Sequence, residues 1–286
     1  MDQTTPVLTQ YSGVCNARRK RSGKIKIGVH SKSNSAVKIL ITVLLGLTVY
    51  AFISFDYKEI VLGEAIAATL RNVKTVFLEP KLSTDTFKNV MYQLFLTFCL
   101  GTLSTIFGAI AAFFCSLLCA KNTAPSGVAN AVKCVIALIR AVPTVLWVLI
   151  FAVSAGLGSV AAVIGLTFHS FAYLTKVYAE SIEEIDDGTI EALRASGAGV
   201  WQIGFQAIVP ASLSRMVAWT FMRFEINFTN AIAVGAAAGA GGIGFNLYMA
   251  GSFYFNLHEM GILTYIVVIA VVMLEMFSTK IKERVK

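Results

Sequence analysis

Six stretches of this chain are apolar over the length needed to cross a lipid bilayer, about 20 residues. They are residues 36–55, 90–120, 128–155, 157–177, 213–238 and 260–279. Backbone polar groups in hydrocarbon must be satisfied within their own segment, so these runs are expected to be helices. The expected fold class is therefore all-α: a polytopic membrane helical bundle with six transmembrane helices. With 56% hydrophobic and 14% charged residues, the chain is far too apolar for a water-soluble domain to bury.

Charge sets the orientation. Residues 1–38 carry eight basic groups (Arg18, Arg19, Lys20, Arg21, Lys24, Lys26, Lys32 and Lys38) against Asp2 alone. A basic stretch directly before an apolar run holds the N-terminus in the cytoplasm, so it is not assigned to nucleic acid. Six crossings return the C-terminus to the same side, where Lys280, Lys282, Arg284 and Lys286 face Glu283. The expected organisation is a basic cytoplasmic segment at 1–35, a retained first span at 36–55, an extracytoplasmic loop at 56–89, a transmembrane domain at 90–280 and a cytoplasmic tail at 281–286. Residues 121–127 and 178–212 then lie inside and 239–259 outside. In the first outer loop Leu62, Ile66, Leu70, Val73 and Phe77 recur at helical spacing, which predicts an amphipathic helix lying at the membrane interface until Pro80 stops it; simple packing against the spans accounts for the spacing adequately too.

Chemistry is not encoded here in any familiar pattern. Cys15, Cys99, Cys115, Cys119 and Cys134 lack the spacing of a metal site, and His30, His169 and His258 are far apart. No metal, no catalytic residue and no cofactor bound by the chain are expected. Gly239-Ala-Gly-Gly-Ile-Gly satisfies a dinucleotide-binding pattern literally, but it follows a membrane span where a strand would be required. Gly239, Gly241, Gly242 and Gly244 are instead expected to form a tight turn at the outer end of the fifth span, leading into a re-entrant element. Pro143 is expected to kink the third span.

The cytoplasmic segment 188–210 reads differently. After Glu180, Glu183, Glu184, Asp186 and Asp187, a short helix capped by Asp187 or Thr189 is expected to carry Glu191, Ala192, Leu193, Ala195 and Ser196. Gly197 and Gly199 permit a sharp turn. A second short helix is expected from residue 200 to 207, ended at Val209-Pro210. Such an elbow, crowded with small residues, suits close contact with a partner; it is equally well formed to be a compact connector.

Glu191, Ala192, Gly197 and Pro210 fall in register with a known pattern: Glu-Ala-Ala, three residues, Gly, nine residues, Ile, one residue, Leu-Pro. Leu193, Ala207 and Val209 stand as apolar exchanges within it. The segment resembles the EAA loop of ABC-importer permeases. The resemblance continues through Arg140-Ala-Val-Pro-Thr, His169-Ser-Phe-Ala, Arg223-Phe-Glu-Ile-Asn and the glycine run, where it is to the phosphonate and phosphite uptake permeases. It implies a type I importer permease in a bacterial cytoplasmic membrane, moving an oxyanion inward by alternating access. It also implies a homodimer, an extracytoplasmic binding protein and a cytoplasmic ATPase dimer holding ATP and Mg, gripped by Glu191, Ala192, Leu193, Ser196, Gly197 and Pro210.

Arg223 and Glu225 lie within the fifth span, where ionisable groups normally face protein or a water-filled cavity. Two residues apart on a helix, they point to different faces, so each is expected to find a partner on another span. Arg140, His169, Lys176, Arg223, Glu225 and Asn227 are candidates to line a passage, or else serve as interhelical glue; Lys176 and Glu180 suit an ordinary i,i+4 pair. Two rivals to an ATP-driven permease for an oxyanion or another small solute are an ion-coupled carrier titrating Glu225 and a membrane enzyme. The scattered histidines disfavour the second.

Overall fold

The computed structural model describes residues 15–19, 25–29, 32–54, 61–199 and 202–285. The chain forms two compact units, 1–66 and 67–286. In the first, β1 (Cys15–Arg19) pairs antiparallel with β2 (Ile25–Val29), Arg19 opposite Ile25. This small hairpin lies in the basic segment, where the sequence carries no strand signal strong enough to announce it. Helix α1 (Lys32–Ser54) follows, exposed along Ser35–Ser54, as a span solvated by lipid would be.

The second unit is helical throughout its described residues. α2 (Leu62–Leu78) leads into it, then α3 (Phe87–Cys119), α4 (Ser126–Ala141), α5 (Thr144–Ala155), α6 (Ser159–Glu183) and α7 (Asp187–Ala195). A π-helical turn, Ile203–Ile208, runs directly into α8 (Val209–Ala238); α9 (Gly242–Tyr248) and α10 (Leu257–Val285) complete it. Among the described residues α1, α3, α6 and α10 are long and apolar enough to cross a membrane alone. Two bent pairs raise the number to the expected six if each is one span.

The third expected span, 128–155, is not a kinked helix but two helices at 87°. The cause is local. A residue before proline avoids the helical region, and Val142 is extended (φ −86°, ψ 125°), so α4 stops and Pro143 starts α5 afresh. The Trp147 indole donates back across the break to the Ile139 carbonyl at 3.0 Å.

α2 forms where the spacing predicts an amphipathic helix. Leu70, Val73 and Phe77 are exposed, while Val76 is buried and its carbonyl lies against Gly261 of α10. Most of the apolar stripe thus faces outward, with Phe77 meeting Tyr265 of α10 edge to face.

Small residues bring the remaining helices together, as is usual where lipid offers no hydrophobic driving force. A Cβ on Gly165 would lie 2.6 Å from Val148 Cγ2 and 2.7 Å from its Cα, so α5 and α6 meet backbone to backbone. Replacing Gly165 by Leu is expected to cost roughly 1–3 kcal/mol, seen as a lower melting temperature in detergent; unaltered melting would show that α5 can move aside freely.

Candidate functional site

The elbow expected at residues 188–210 is built from its caps inward. Asp186, one residue earlier than expected, caps α7 by accepting from the Thr189 amide at 3.2 Å. Ile190 is buried in a core with Tyr178, Ile203, Ile208 and Met216, and Leu193 packs against it. Glu191, Ala192, Ala195 and Ser196 remain on the exposed side. Leu193 therefore turns inward and does not share the presented face; at its position on the helix it is the third apolar contact of one stripe.

The end of α7 is equally defined. Gly197 takes φ +85°, its amide bonds to Arg194 O at 3.0 Å, and the Ala198 amide reaches Leu193 O at 3.1 Å. This is a Schellman close, which needs a residue without a Cβ penalty at Gly197. The second helix differs from expectation. Residues 200 and 201 lie outside the described structure, and Ile203–Ile208 continues into α8 with no stop at Pro210. The Val209 amide bonds to Gly204 O, one residue wider than an α-turn, and Pro210 occupies the first turn, where its missing N–H and fixed φ are tolerated. Pro210 opens the fifth span instead of closing the elbow.

The acidic end of α6 fastens this elbow to the bundle. Glu183 accepts from Lys133 Nζ at 2.7 Å and from the Lys121 amide at 2.9 Å. Arg215 of α8 pairs with Glu184 at 3.1 Å and donates to Ser181 O at 2.9 Å. Asn122 donates to Ile182 O at 2.8 Å. Because Ile190 of α7 shares its core with Tyr178 of α6 and Met216 of α8, displacing α7 would load both helices together.

Those two helices carry the intramembrane polar groups. Arg223, midway along α8 and 2% exposed, donates through Nε to Ser170 Oγ (3.0 Å) and through Nη2 to His169 Nδ1 (2.9 Å). His169 must accept at Nδ1, since a guanidinium has only donors. Asn227, fully buried, donates to Ser170 and Thr105, both at 2.8 Å, and Ser170 passes its own proton to Leu166 O. Glu225 faces elsewhere and pairs with Lys282 of α10 at 2.9 Å. Arg223 and Glu225 thus find partners on different helices, as their spacing requires.

His169, Tyr173, Lys176, Glu180 and Glu183 follow one another at steps of four and three, hence on one face of α6. The guanidinium carbon of Arg223 lies 5.1 Å from the Tyr173 ring centre and that of Arg140 5.9 Å from it. Lys176 pairs with Glu180 at 3.3 Å. A cavity of about 230 Å³ opens beside this face, lined by Cys119, Lys133, Arg140, Lys176, Glu180 and Glu183. Of the expected passage residues, Arg140, His169, Lys176 and Arg223 converge here. Asn227 supports them from behind, and Glu225 does not join them. Tyr173, Ser170, Thr105 and Lys133 were not foreseen; only the position of Tyr173, four residues after His169, offered a signal.

At the far end the glycines form the expected turn. Gly239, Gly241 and Gly242 have φ of 60°, 77° and 73°, and α9 bends away from the direction of α8 by 45°. Gly244 belongs to α9 itself, where a Cβ would collide with Ile232 O. The Gly242 and Ile243 amides donate to Gln93 Oε1 (3.1 Å) and Thr97 Oγ1 (2.9 Å) of α3. Glu259, 2% exposed, accepts the Thr84 and Asp85 amides, tying the start of α10 to the loop before α3. Among the described residues no cluster of His, Cys, Asp or Glu could hold a metal ion.

Comparison with known proteins places these features in a family context. Residues 112–281 match the family described as binding-protein-dependent transport system inner membrane component. Over 152 residues the chain is 36% identical to the phosphate-import permease protein PhnE of Mycolicibacterium smegmatis, covering 53% of this chain and 28% of that protein. Over 185 residues it is 29% identical to the phosphite transport system permease protein PtxC of Stutzerimonas stutzeri, covering 64% and 65%. The chain thus spans less than two thirds of the length of each. Among solved structures, a chain of the inward-facing MetNI methionine ABC transporter superposes with a TM-score of 0.64 at 22% identity, over 72% of this chain and 100% of that one. A chain of a bacterial ABC transporter for the import of alginate gives 0.60 at 14% identity, over 88% and 98%. These likenesses establish the fold.

Proposed function

The chain belongs to the family of binding-protein-dependent transport system inner membrane components, and on that premise we propose that it is the permease subunit of an ATP-driven importer for a phosphorus oxyanion: phosphonate, phosphite or phosphate. Two copies enclose the passage. A cytoplasmic ATPase dimer, holding ATP and Mg, grips α7 on each copy, and an extracytoplasmic binding protein delivers the ligand. The chain itself performs no chemistry. It lies in a bacterial cytoplasmic membrane with both ends in the cytoplasm.

The observation that carries the reading is the presented face of α7. Glu191, Ala192, Ser196 and Gly197 stand exposed between a defined cap and a defined close. Small side chains there let another backbone approach closely, and Ile190 and Leu193 root the face in the core. Leu193 packs on the core beneath the face, while Pro210, exposed in the first turn of α8, remains with the residues offered to the ATPase. Closure of the ATPase moves α7; Glu183, Glu184, Lys133 and Arg215 tie that movement to α4, α6 and α8, whose residues Arg140, His169, Lys176 and Arg223 line the passage. The names of the curated relatives supply the ligand class.

The test is reconstitution with the ATPase and the binding protein in proteoliposomes. Phosphite, methylphosphonate or phosphate is expected to stimulate ATP hydrolysis and to accumulate inside only with ATP. Accumulation driven by an ion gradient without ATP would replace this reading with the ion-coupled carrier, for which the Glu225–Lys282 pair would be the titrating element.

A further inference from the structure

The cations of this bundle fall into two groups. Lys133, Lys176, Arg215 and Lys282 each have a carboxylate within 3.3 Å. Arg223 and Arg140 have none among the described residues. Arg223 is held only by a hydroxyl, an unprotonated imidazole nitrogen and the face of an aromatic ring, all neutral. Arg140, half-buried at the end of α4, lies over the same ring, so two guanidinium groups of like charge share it. A guanidinium buried at mid-membrane depth without a counter-charge is costly, and a second beside it adds to the cost.

That cost falls when an anion arrives. Nε and Nη2 of Arg223 are occupied by Ser170 and His169, which fixes the plane of the guanidinium and leaves the N–H groups of Nη1 without a protein acceptor among the described residues. Asn227, itself anchored on Thr105, holds Ser170 in turn, so the orientation rests on a fully buried chain of hydrogen bonds. A planar fork with spare donors is the arrangement that matches an oxyanion. The cavity beside Arg140 continues toward Lys176 and Lys133, each already paired with Glu180 or Glu183. Net positive charge therefore falls along α6 from Arg223 to Glu183, and an anion held deep in the bundle meets weaker attraction toward the cytoplasm.

We propose that Arg223 and Arg140, both lying over Tyr173, form an anion subsite within a single protomer that takes a tetrahedral phosphorus oxyanion in transit. His169 and Ser170 act as positioning residues for Arg223. The inference rests on the importer reading above and adds to it the side chains that touch the cargo.

Arg140 provides the test, since it is only half-buried, stands in the last turn of α4 and has no ion pair among the described residues. The complete transporter, with ATPase and binding protein, is reconstituted with Arg140, Arg140→Lys or Arg140→Gln, and uptake of phosphite is measured per ATP hydrolysed. The expected order is Arg above Lys above Gln, with Gln lower than Arg by about tenfold or more, the loss of a charge-assisted bond to the ligand. Uptake by Arg140→Gln equal to that of the parent, or Lys no better than Gln, overturns the subsite while leaving the importer reading intact. If the parent complex accumulates no phosphorus oxyanion with ATP, the importer reading itself fails. As an independent measurement, phosphite at saturating concentration is expected to slow phenylglyoxal modification of Arg140 in the parent complex, followed by mass spectrometry. An unchanged modification rate counts against the subsite.

Discussion

Reversing the charge at Glu191 to Arg is expected to abolish ATP-driven uptake, by roughly a hundredfold, while the subunit inserts and melts as the parent does. The side chain is exposed, follows the N-terminal cap of α7 by five residues and makes no contact with the core that Ile190 and Leu193 occupy. Removing it leaves no buried group unpaired. Its cost falls on the partner: a surface that accommodates a carboxylate now meets a guanidinium, and like-charge or mismatched groups at a tight interface cost several kcal/mol. Binding of the purified ATPase to the variant in nanodiscs, and uptake per ATP, are the measurements. Uptake near the parent value would mean that α7 is a connector and that the grip lies elsewhere. Ser196→Leu is the companion variant, because bulk on the same face should weaken binding without a change of charge.

Much of this arrangement was legible because the chemistry of a bilayer leaves few options. Six apolar runs had to be helices, and the opposite directions of Arg223 and Glu225 followed from helical geometry. The elbow was legible in outline from its small residues and Gly197. Its interior was not: whether Leu193 faces the partner or the core depends on the rotation of α7, which Ile190 decides by burial. Pro210 was mistaken for a stop because proline also suits the first turn of a helix, and the two uses look alike in sequence. Pro143 has the opposite history. A kink was expected, yet the extended Val142 before it separates α4 and α5 completely. The stripe of α2 left two readings open, interface or packing on the spans, because apolar periodicity marks a face as water-avoiding and does not distinguish protein from lipid.

The polar residues divide along the same line. Glu225 seemed as suited to the passage as Arg223, but Lys282, 57 positions later in the chain, claims it. Ser170 gave no sign of importance and Tyr173 only its place four residues after His169, since an aromatic and a hydroxyl in an apolar helix are ordinary. Their significance comes from Arg223 lying against both. Long-range pairing of this kind is fixed by the packing of α3, α6 and α8, and the closeness of that packing depends on Gly101 and Gly108, whose Cα atoms leave room for Phe228 and Ser170.

Arg223→Met should separate glue from function. If Arg223 existed to hold helices together, removing it would free Ser170 and His169 from their donor and destabilise the subunit by about 3–5 kcal/mol, the cost of breaking a buried pair. There is no pair to break. The charge is buried against neutral groups, and an apolar side chain of similar length relieves that burden, offsetting about 1–3 kcal/mol for the hydrogen-bonding groups left behind. The melting temperature of Arg223→Met in detergent is therefore expected to equal or exceed that of the parent, while ATP-driven phosphite uptake falls at least about tenfold. A residue whose removal spares the fold and ends transport is present for the cargo. A variant that melts far below the parent would instead make Arg223 a structural tie between α6 and α8, and the anion would have to be met by Arg140, Lys176 and Lys133 alone.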